Sequence, residues 1–299
     1  MKIFYLLFLS LCACAHPALP KNASLILSSN DEPAVGTYIS SWKGFRTSSY
    51  WIEGERGLIL IDTQFLTSAA EEMVDWAEKT TGKKAVLAIV LHPNPDKFNG
   101  TAVFQKRGIR VITSEQVARL IPAVHKLRMG WFYERFKPDY PSVLPAPESF
   151  GSSTQEIEAA GVRLKLHVLG AGCSAAHVVV EYGPHVFVGD LITQGFHSWL
   201  ELGLLDDWLE RLDEIEAMKP KFVHTGRGGS GGPMLIDRER DYLQTVIEIV
   251  DSKNPRKGKK LTPELSEEIE NEIMERYPAY DYSLFLTNGL KAVWENREK

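Results

Sequence analysis

Four strand-like segments, each followed by a loop that carries His, Asp, Cys or Arg, constrain this chain more than any other feature. Lys84 to Leu91 precedes His92-Pro93-Asn94-Pro95-Asp96-Lys97, and Val162 to Val168 precedes Gly170-Ala171-Gly172-Cys173-Ser174-Ala175-Ala176-His177. Val186 to Val188 precedes Gly189-Asp190, and Phe222-Val223 precedes His224-Thr225-Gly226-Arg227-Gly228. Short runs rich in β-branched residues and bounded by Gly, Pro and Asn read as buried strands. One acid or base beyond one strand is usually a turn former or a helix cap, as Asn94-Pro95-Asp96 would be on its own. Four such loops in one chain point instead to a shared rim, where side chains distant in sequence meet.

The remaining segments fill in an organisation. Ser49 to Gly54 and Leu58 to Asp62 read as a hairpin around Glu55-Arg56-Gly57, and Thr67 to Thr81 carries apolar residues at helical spacing. A short helix near Gly100 to Lys106, a strand at Arg110 to Thr113 and a helix at Ser114 to Ile121 follow. The stretch Ala123 to Phe150 holds Trp131, Phe132, Tyr133, Phe136 and several prolines. It reads as irregular, either a loop over a site or a surface segment that packs its aromatics on the core. Further strands are expected at Thr154 to Ile157 and Val178 to Tyr182. Helices are expected at Asp206 to Met218, Asp237 to Val250, Pro263 to Tyr277 and Leu284 to Glu295, with Lys253 to Lys260 as a solvated linker. Two groups of strands, each followed by helices, predict two sheets with helices outside.

Met1-Lys2, the apolar run Ile3 to Leu11 and the small residues of Cys12-Ala13-Cys14-Ala15 read as a secretory signal, too short to span a bilayer. Leu11-Cys12-Ala13-Cys14 resembles a bacterial lipobox with Cys14 as the lipidated residue, and cleavage after Ala15 is the alternative. Residues 1–15 are therefore expected to be a signal and 16–35 a tether. The protein is expected to be exported, as an envelope lipoprotein or a periplasmic or secreted protein, and to meet a membrane only through a lipid at Cys14. Of three cysteines this leaves Cys173 as a lone thiol in an oxidising compartment. Such a thiol is expected to be buried, metal-bound or reactive. With 34 Lys and Arg against 39 Asp and Glu there is no basic excess, which argues against a nucleic-acid partner.

The order of the rim loops resembles the metallo-β-lactamase superfamily over about residues 36 to 250. The resemblance implies an α+β fold, a four-layer αββα sandwich of two mixed β-sheets with outer helices, for a domain at 36–251. Residues 252–299 would be a C-terminal helical extension. The superfamily's first metal motif, His-x-His-x-Asp-His, is read here as His92, Asn94, Asp96 and Lys97. Cys173 holds the place of the His in a Gly-x-Gly-His-Ser loop, Asp190 matches the bridging Asp, and Arg227 replaces the His of a Gly-His-Gly turn. The resemblance implies His92, Asp96, Cys173 and Asp190 as ligands of one Zn²⁺.

Lys97 and Arg227 bring fixed positive charge where a second ion would sit, so they would repel it and pair with Asp96 and Asp190. Two readings follow. In one, the protein is an exported hydrolase of an ester, amide or thioester with at most one zinc ion. Asp96 or Asp190, if not coordinating, would then orient the water or take its proton, and Lys97 or Arg227 would bind an anionic group or the oxyanion of a small-molecule substrate. In the other, the fold is kept without metal as a binding protein with a cationic pocket for an anionic ligand. A thiol enzyme using Cys173 is a third class. Asn94, His177, His197 and His224 are expected behind the ligands or along the pocket, whereas His125, His167 and His185 have no motif context.

Overall fold

The structure is a computed structural model and describes residues 24–27 and 35–298. The signal segment and Cys14 lie outside the described residues. Seven strands form the first sheet in sequential order: β1 (Ser24–Leu27), β2 (Val35–Ile39), β3 (Ser48–Gly54), β4 (Gly57–Ile61), β5 (Ala85–Ile89), β6 (Arg110–Thr113) and β7 (Glu148–Ser149). The first four pair antiparallel, and β4 to β7 run parallel. The second sheet orders β8 (Gln155–Ala159), β9 (Val162–Leu169), β10 (His177–Tyr182), β11 (His185–Thr193), β12 (Phe222–Arg227) and β13 (Ser230–Gly231), with only β11 and β12 parallel. Both sheets are mixed, as expected.

Strand alternation shows why the architecture has four layers. On β10, Val178 and Val180 face a core shared with Ile52, Leu60 and Ile89 of the first sheet, whereas Val179 faces a second core with Trp208, Leu212 and Val246. On β11, Phe187 belongs to the first core and Val186 and Val188 to the second. A strand buried on both faces reads as a continuous apolar run, which is how these segments appear in the sequence. The first sheet is covered by α1 (Thr67–Thr81), α3 (Thr101–Lys106) and α4 (Glu115–Phe136), with the short α2 (Pro95–Phe98) at its edge. The second is covered by α5 (Leu205–Ala217), α6 (Met234–Ser252), α7 (Pro263–Arg276) and α8 (Ser283–Asn296).

Two expectations need correction. The tether expected over 16–35 contains β1, which pairs with β2 from Ser24–Ile39 to Leu27–Gly36. The helix expected to stop at Ile121 continues through Pro122 to Phe136. Proline in a helix forfeits one hydrogen bond, but Val117, Ile121, His125 and Arg128 bury one continuous face across it. The C-terminal helices α7 and α8 pack on the sandwich, with Ile269, Ile273, Leu286, Leu290 and Trp294 buried in the second core. Among the described residues, no helix is long and apolar enough to cross a membrane.

Candidate active site

The parallel pairs β4–β5 and β11–β12 end at one edge, where the sheets are joined directly: the Val178 N–H donates to the Leu91 carbonyl at 2.6 Å. Beyond β5 the chain turns at Asn94, extended at φ −112° and ψ 149°, and Pro95 starts α2. That turn is pinned to the end of β4, since the Thr63 N–H and hydroxyl both donate to the Lys97 carbonyl, at 2.8 and 2.9 Å. Asp96 and Lys97 are thereby fixed at the rim, facing Asp190 inside β11 and Arg227 at the end of β12.

These four form a closed lattice of charge. The Lys97 Nζ lies 2.9 Å from Asp190 Oδ1 and 3.0 Å from Asp96 Oδ2, with Asp62 Oδ2 further off at 3.9 Å. The Arg227 Nη2 reaches the same two acids, at 2.8 Å from Asp96 Oδ2 and 3.2 Å from Asp190 Oδ2. Its Nη1 donates to the Phe45 carbonyl at 2.7 Å and to the Thr47 hydroxyl at 3.0 Å, and Thr47 donates in turn to Asp96. Lys97 is 0% exposed, so its charge is tolerable only because it is paired. Burial alone would raise both carboxyls, but the Lys97 ammonium and Arg227 guanidinium outweigh it and hold Asp96 and Asp190 below the usual carboxylate range. Asp62, where burial prevails, is pushed up to about 8. Gly226 makes the lattice possible, because a Cβ there would stand 1.9 Å from Asp190 Oδ1.

Behind Asp190 lies a second, uncharged group. His92, Cys173 and His177 are all buried, and one ligand atom from each lies within 4.8 Å of the others. Cys173 Sγ is 3.2 Å from His177 Nε2. The Asp190 N–H approaches His92 Nε2 at 3.4 Å, while the Asp190 carboxylate lies 3.8 Å from the same nitrogen. Burial pushes the Cys173 thiol up, and lowers His92 to about 4 and His177 to about 3. Both imidazoles are therefore neutral at physiological pH, and the thiol keeps its proton.

In front of the lattice is a pocket of about 140 Å³ with aromatic walls. Phe45, Phe65, Trp131, Phe132, Trp199 and Phe285 line it, and Asn94, Asp96 and Arg227 lie among the polar lining residues. Arg128, buried on α4, pairs with both carboxylate oxygens of Glu201 and stacks 4.2 Å from Trp131 and 5.3 Å from Trp199.

The fold of the sandwich and the spacing of its rim loops now stand beside a comparison with known proteins. The Metallo-beta-lactamase superfamily profile matches residues 42–227, more than half of the chain. The chain belongs to the metallo-beta-lactamase superfamily. It is 21% identical over 206 residues to a metallo-beta-lactamase type 2 of Elizabethkingia meningoseptica, a match covering 66% of this chain and 75% of that one. Among solved structures it resembles a metallo-beta-lactamase from Pontibacter korlensis, with a TM-score of 0.57 at 19% identity over 74% of this chain and 99% of that one. It also resembles the mono-zinc form of FIM-1 from Pseudomonas aeruginosa, with a TM-score of 0.58 at 18% identity over 75% and 97% of the two chains.

Superfamily membership raises the question of metal, and the residues answer it in two parts. A two-ion centre does not fit: Asp96 and Asp190 already hold two fixed cations, Asn94 offers only an amide, and Arg227 offers no lone pair. A single ion fits, because His92, Cys173 and His177 bring together the imidazole and thiolate donors that zinc favours.

Of the residues singled out in the sequence, His92, Asp96, Lys97, Cys173, His177, Asp190 and Arg227 meet at the rim, and Asn94 opens onto the pocket. Lys97 does not line that pocket, so it is unavailable to an anionic ligand; Asp96 and Asp190 consume its charge. His197 turns away to Tyr242, with its Nδ1 3.0 Å from the hydroxyl. His224 lies inside the sandwich, stacked 4.2 Å from Phe187 and hydrogen-bonded to His185 and Ser230. Neither His197 nor His224 stands behind the ligands or lines the pocket. Sequence reasoning missed Asp62, Thr47 and the wall residues Trp199 and Phe285. The only available signal for Asp62 was its place at the end of an apolar run.

Proposed function

We propose that the protein is a hydrolase of a small ester, amide or thioester that uses no more than one metal ion. The observation that carries this reading is adjacency: the pocket floor, Asp96 and Arg227, touches through Asp190 the buried cluster of neutral nitrogen and sulfur donors. An apolar or aromatic part of the substrate would rest against Phe65, Trp131 and Phe285, excluding water from the floor. The Arg227 guanidinium lines the floor and is fixed by Phe45, Thr47 and two carboxylates, so it would meet an anionic group or a developing oxyanion only by giving up part of that pairing. Asp96, kept ionised by Lys97 and Arg227, is the floor carboxylate that can orient an attacking water by accepting its hydrogen bond. Zinc, held by His92 and Cys173 with His177, would supply Lewis-acid positive charge behind Asp190 when bound, next to the pocket floor.

The reading is tested on a panel of aryl esters, thioesters and anilides with protein stripped by chelator and reloaded with zinc. Turnover should rise with zinc to one equivalent per chain and fall again on chelation. Full activity in the stripped protein would overturn metal dependence, and no turnover on any substrate would overturn hydrolysis. A metal-free binding role is the second reading, favoured by the self-neutralised lattice. It expects ligand binding in the pocket to be unchanged by chelation, together with no turnover.

A further inference from the structure

We infer that the one metal ion this protein takes is bound by His92, Cys173 and His177, a ligand set that leaves out both Asp96 and Asp190. This deepens the hydrolase reading by naming the ion's ligands, and rests on that reading only for the ion's purpose. The acids are excluded by their own partners. Asp190 gives Oδ1 to Lys97 and Oδ2 to Arg227, and Asp96 gives Oδ2 to both cations. Recruiting either would leave Lys97 buried with one fewer counter-charge.

The three remaining donors are oriented for a metal by groups outside the cluster. The His177 Nδ1–H donates to the Gly170 carbonyl at 2.9 Å, which fixes the tautomer and leaves the Nε2 lone pair facing Cys173. His92 Nε2 accepts the Asp190 N–H at 3.4 Å, a long bond that an ion would have to displace to take the same lone pair, and the His92 Nδ1–H donates to the Ser174 hydroxyl at 3.1 Å. A carbonyl or hydroxyl on the far nitrogen is the usual support of a metal-ligating imidazole. In the absence of metal, the thiol proton of Cys173 occupies the line between sulfur and His177. A divalent ion would displace that proton to solvent and bind the thiolate. Two imidazoles and a thiolate select a borderline-soft ion, zinc before magnesium or calcium.

The cluster's place in the chain explains why spacing hides it. His177 opens β10, which pairs antiparallel with both neighbours, so its ring returns over the loop that presents Cys173. His92 arrives from the other sheet, held there by the Val178–Leu91 hydrogen bond.

Cobalt(II) is the probe, because a thiolate ligand gives an intense sulfur-to-cobalt charge-transfer band in the near ultraviolet that carboxylate and imidazole ligands do not. Full-length protein stripped of metal is titrated with cobalt(II), then back-titrated with zinc. The expected result is one equivalent per chain, a charge-transfer band and its loss as zinc displaces cobalt. Cys173→Ser should abolish the band, and His177→Gln should weaken binding by at least about tenfold. Asp96→Asn should leave the band and the stoichiometry of one intact. Folding of each variant is checked by circular dichroism. The wild-type band needs no variant, so a misfolded Cys173→Ser leaves the test standing. A folded wild type that binds no cobalt or zinc, a bound ion without the band, or binding unaffected by His177→Gln would each overturn the assignment. One ion with the band and no hydrolysis would sink the hydrolase reading alone. Hydrolysis by metal-free protein would sink metal-dependent turnover while leaving this ligand assignment to the cobalt titration.

Discussion

Lys97→Met is expected to lower stability by about 3–5 kcal/mol at neutral pH, the usual loss when one partner of a buried ion pair is removed and the other charge is stranded. In this variant two carboxylates are stranded together. Asp96 and Asp190 would face each other with Arg227 as their main counter-charge, and the apolar replacement admits no water to the place of the ammonium. For a domain of this size the loss corresponds to a fall in melting temperature on the order of 10 °C. The pH dependence has a definite sign. In the parent, both acids titrate below their unfolded values, so their contribution is present above about pH 4 and is lost as pH falls further. In the variant the two acids would titrate upward, so the gap between the proteins should be largest near pH 7 and narrow towards pH 4. Urea melts across that range are the check. A loss below about 1 kcal/mol at pH 7, within the range of an exposed ion pair, would mean that the lattice is not what holds this edge.

Gly226→Ala should be nearly as severe by a different route. The new methyl carbon would lie 1.9 Å from Asp190 Oδ1, 2.6 Å from the Asp190 backbone nitrogen and 2.7 Å from the Gly189 carbonyl carbon. Backbone cannot retreat as a flexible side chain would, so β11 and β12 must separate where they are parallel neighbours. Overpacking typically destabilises by roughly 1–3 kcal/mol, and this variant should reach the top of that range because Asp190 must also leave Lys97. Thermal melts read the stability. Spectroscopic loss of the Cys173 environment in cobalt-loaded protein reads the displacement of Asp190, which lies next to His92. Parent-like behaviour in both would show that the edge is looser than its close contacts imply.

Much of this architecture was legible in the chain because strands buried on both faces leave continuous apolar runs, as at Val178–Val180 and Val186–Val188. The helix at Thr67–Thr81 was equally plain from its spacing, and Gly82, in the left-handed region at φ 69°, ends it. The second half of α4 was not legible. Pro122 breaks the pattern that local rules follow, and the face that overrides it is apolar only in part, with His125 and Arg128 buried there.

At the site, the resemblance brought Lys97 and Arg227 to the ligand positions, and their charge anticipated the pairing with the acids. His177 was the candidate partner of Cys173 on its loop, but four residues across a loop-to-strand junction do not decide whether the two side chains meet; in the fold they do, at 3.2 Å. The fold turns His177 to the rim, His224 into the sandwich against Phe187, and His197 towards Tyr242. The pocket walls were hidden for the same reason: Phe45, Trp131, Trp199 and Phe285 come from four distant segments and meet only in three dimensions.

The central claim is that Lys97 and Arg227 occupy, as fixed cations, the place of a second metal ion, so that no more than one ion can bind. The direct measurement is zinc per chain at saturation, by inductively coupled plasma mass spectrometry after gel filtration, for the parent and for Lys97→Ala. The smaller side chain leaves room between Asp96 and Asp190. The parent should saturate at one ion; in Lys97→Ala the Arg227 guanidinium still holds Asp96 and Asp190, so a second ion should bind only when Arg227 is replaced as well. A parent chain that takes up two zinc ions with Lys97 and Arg227 in place would contradict the account.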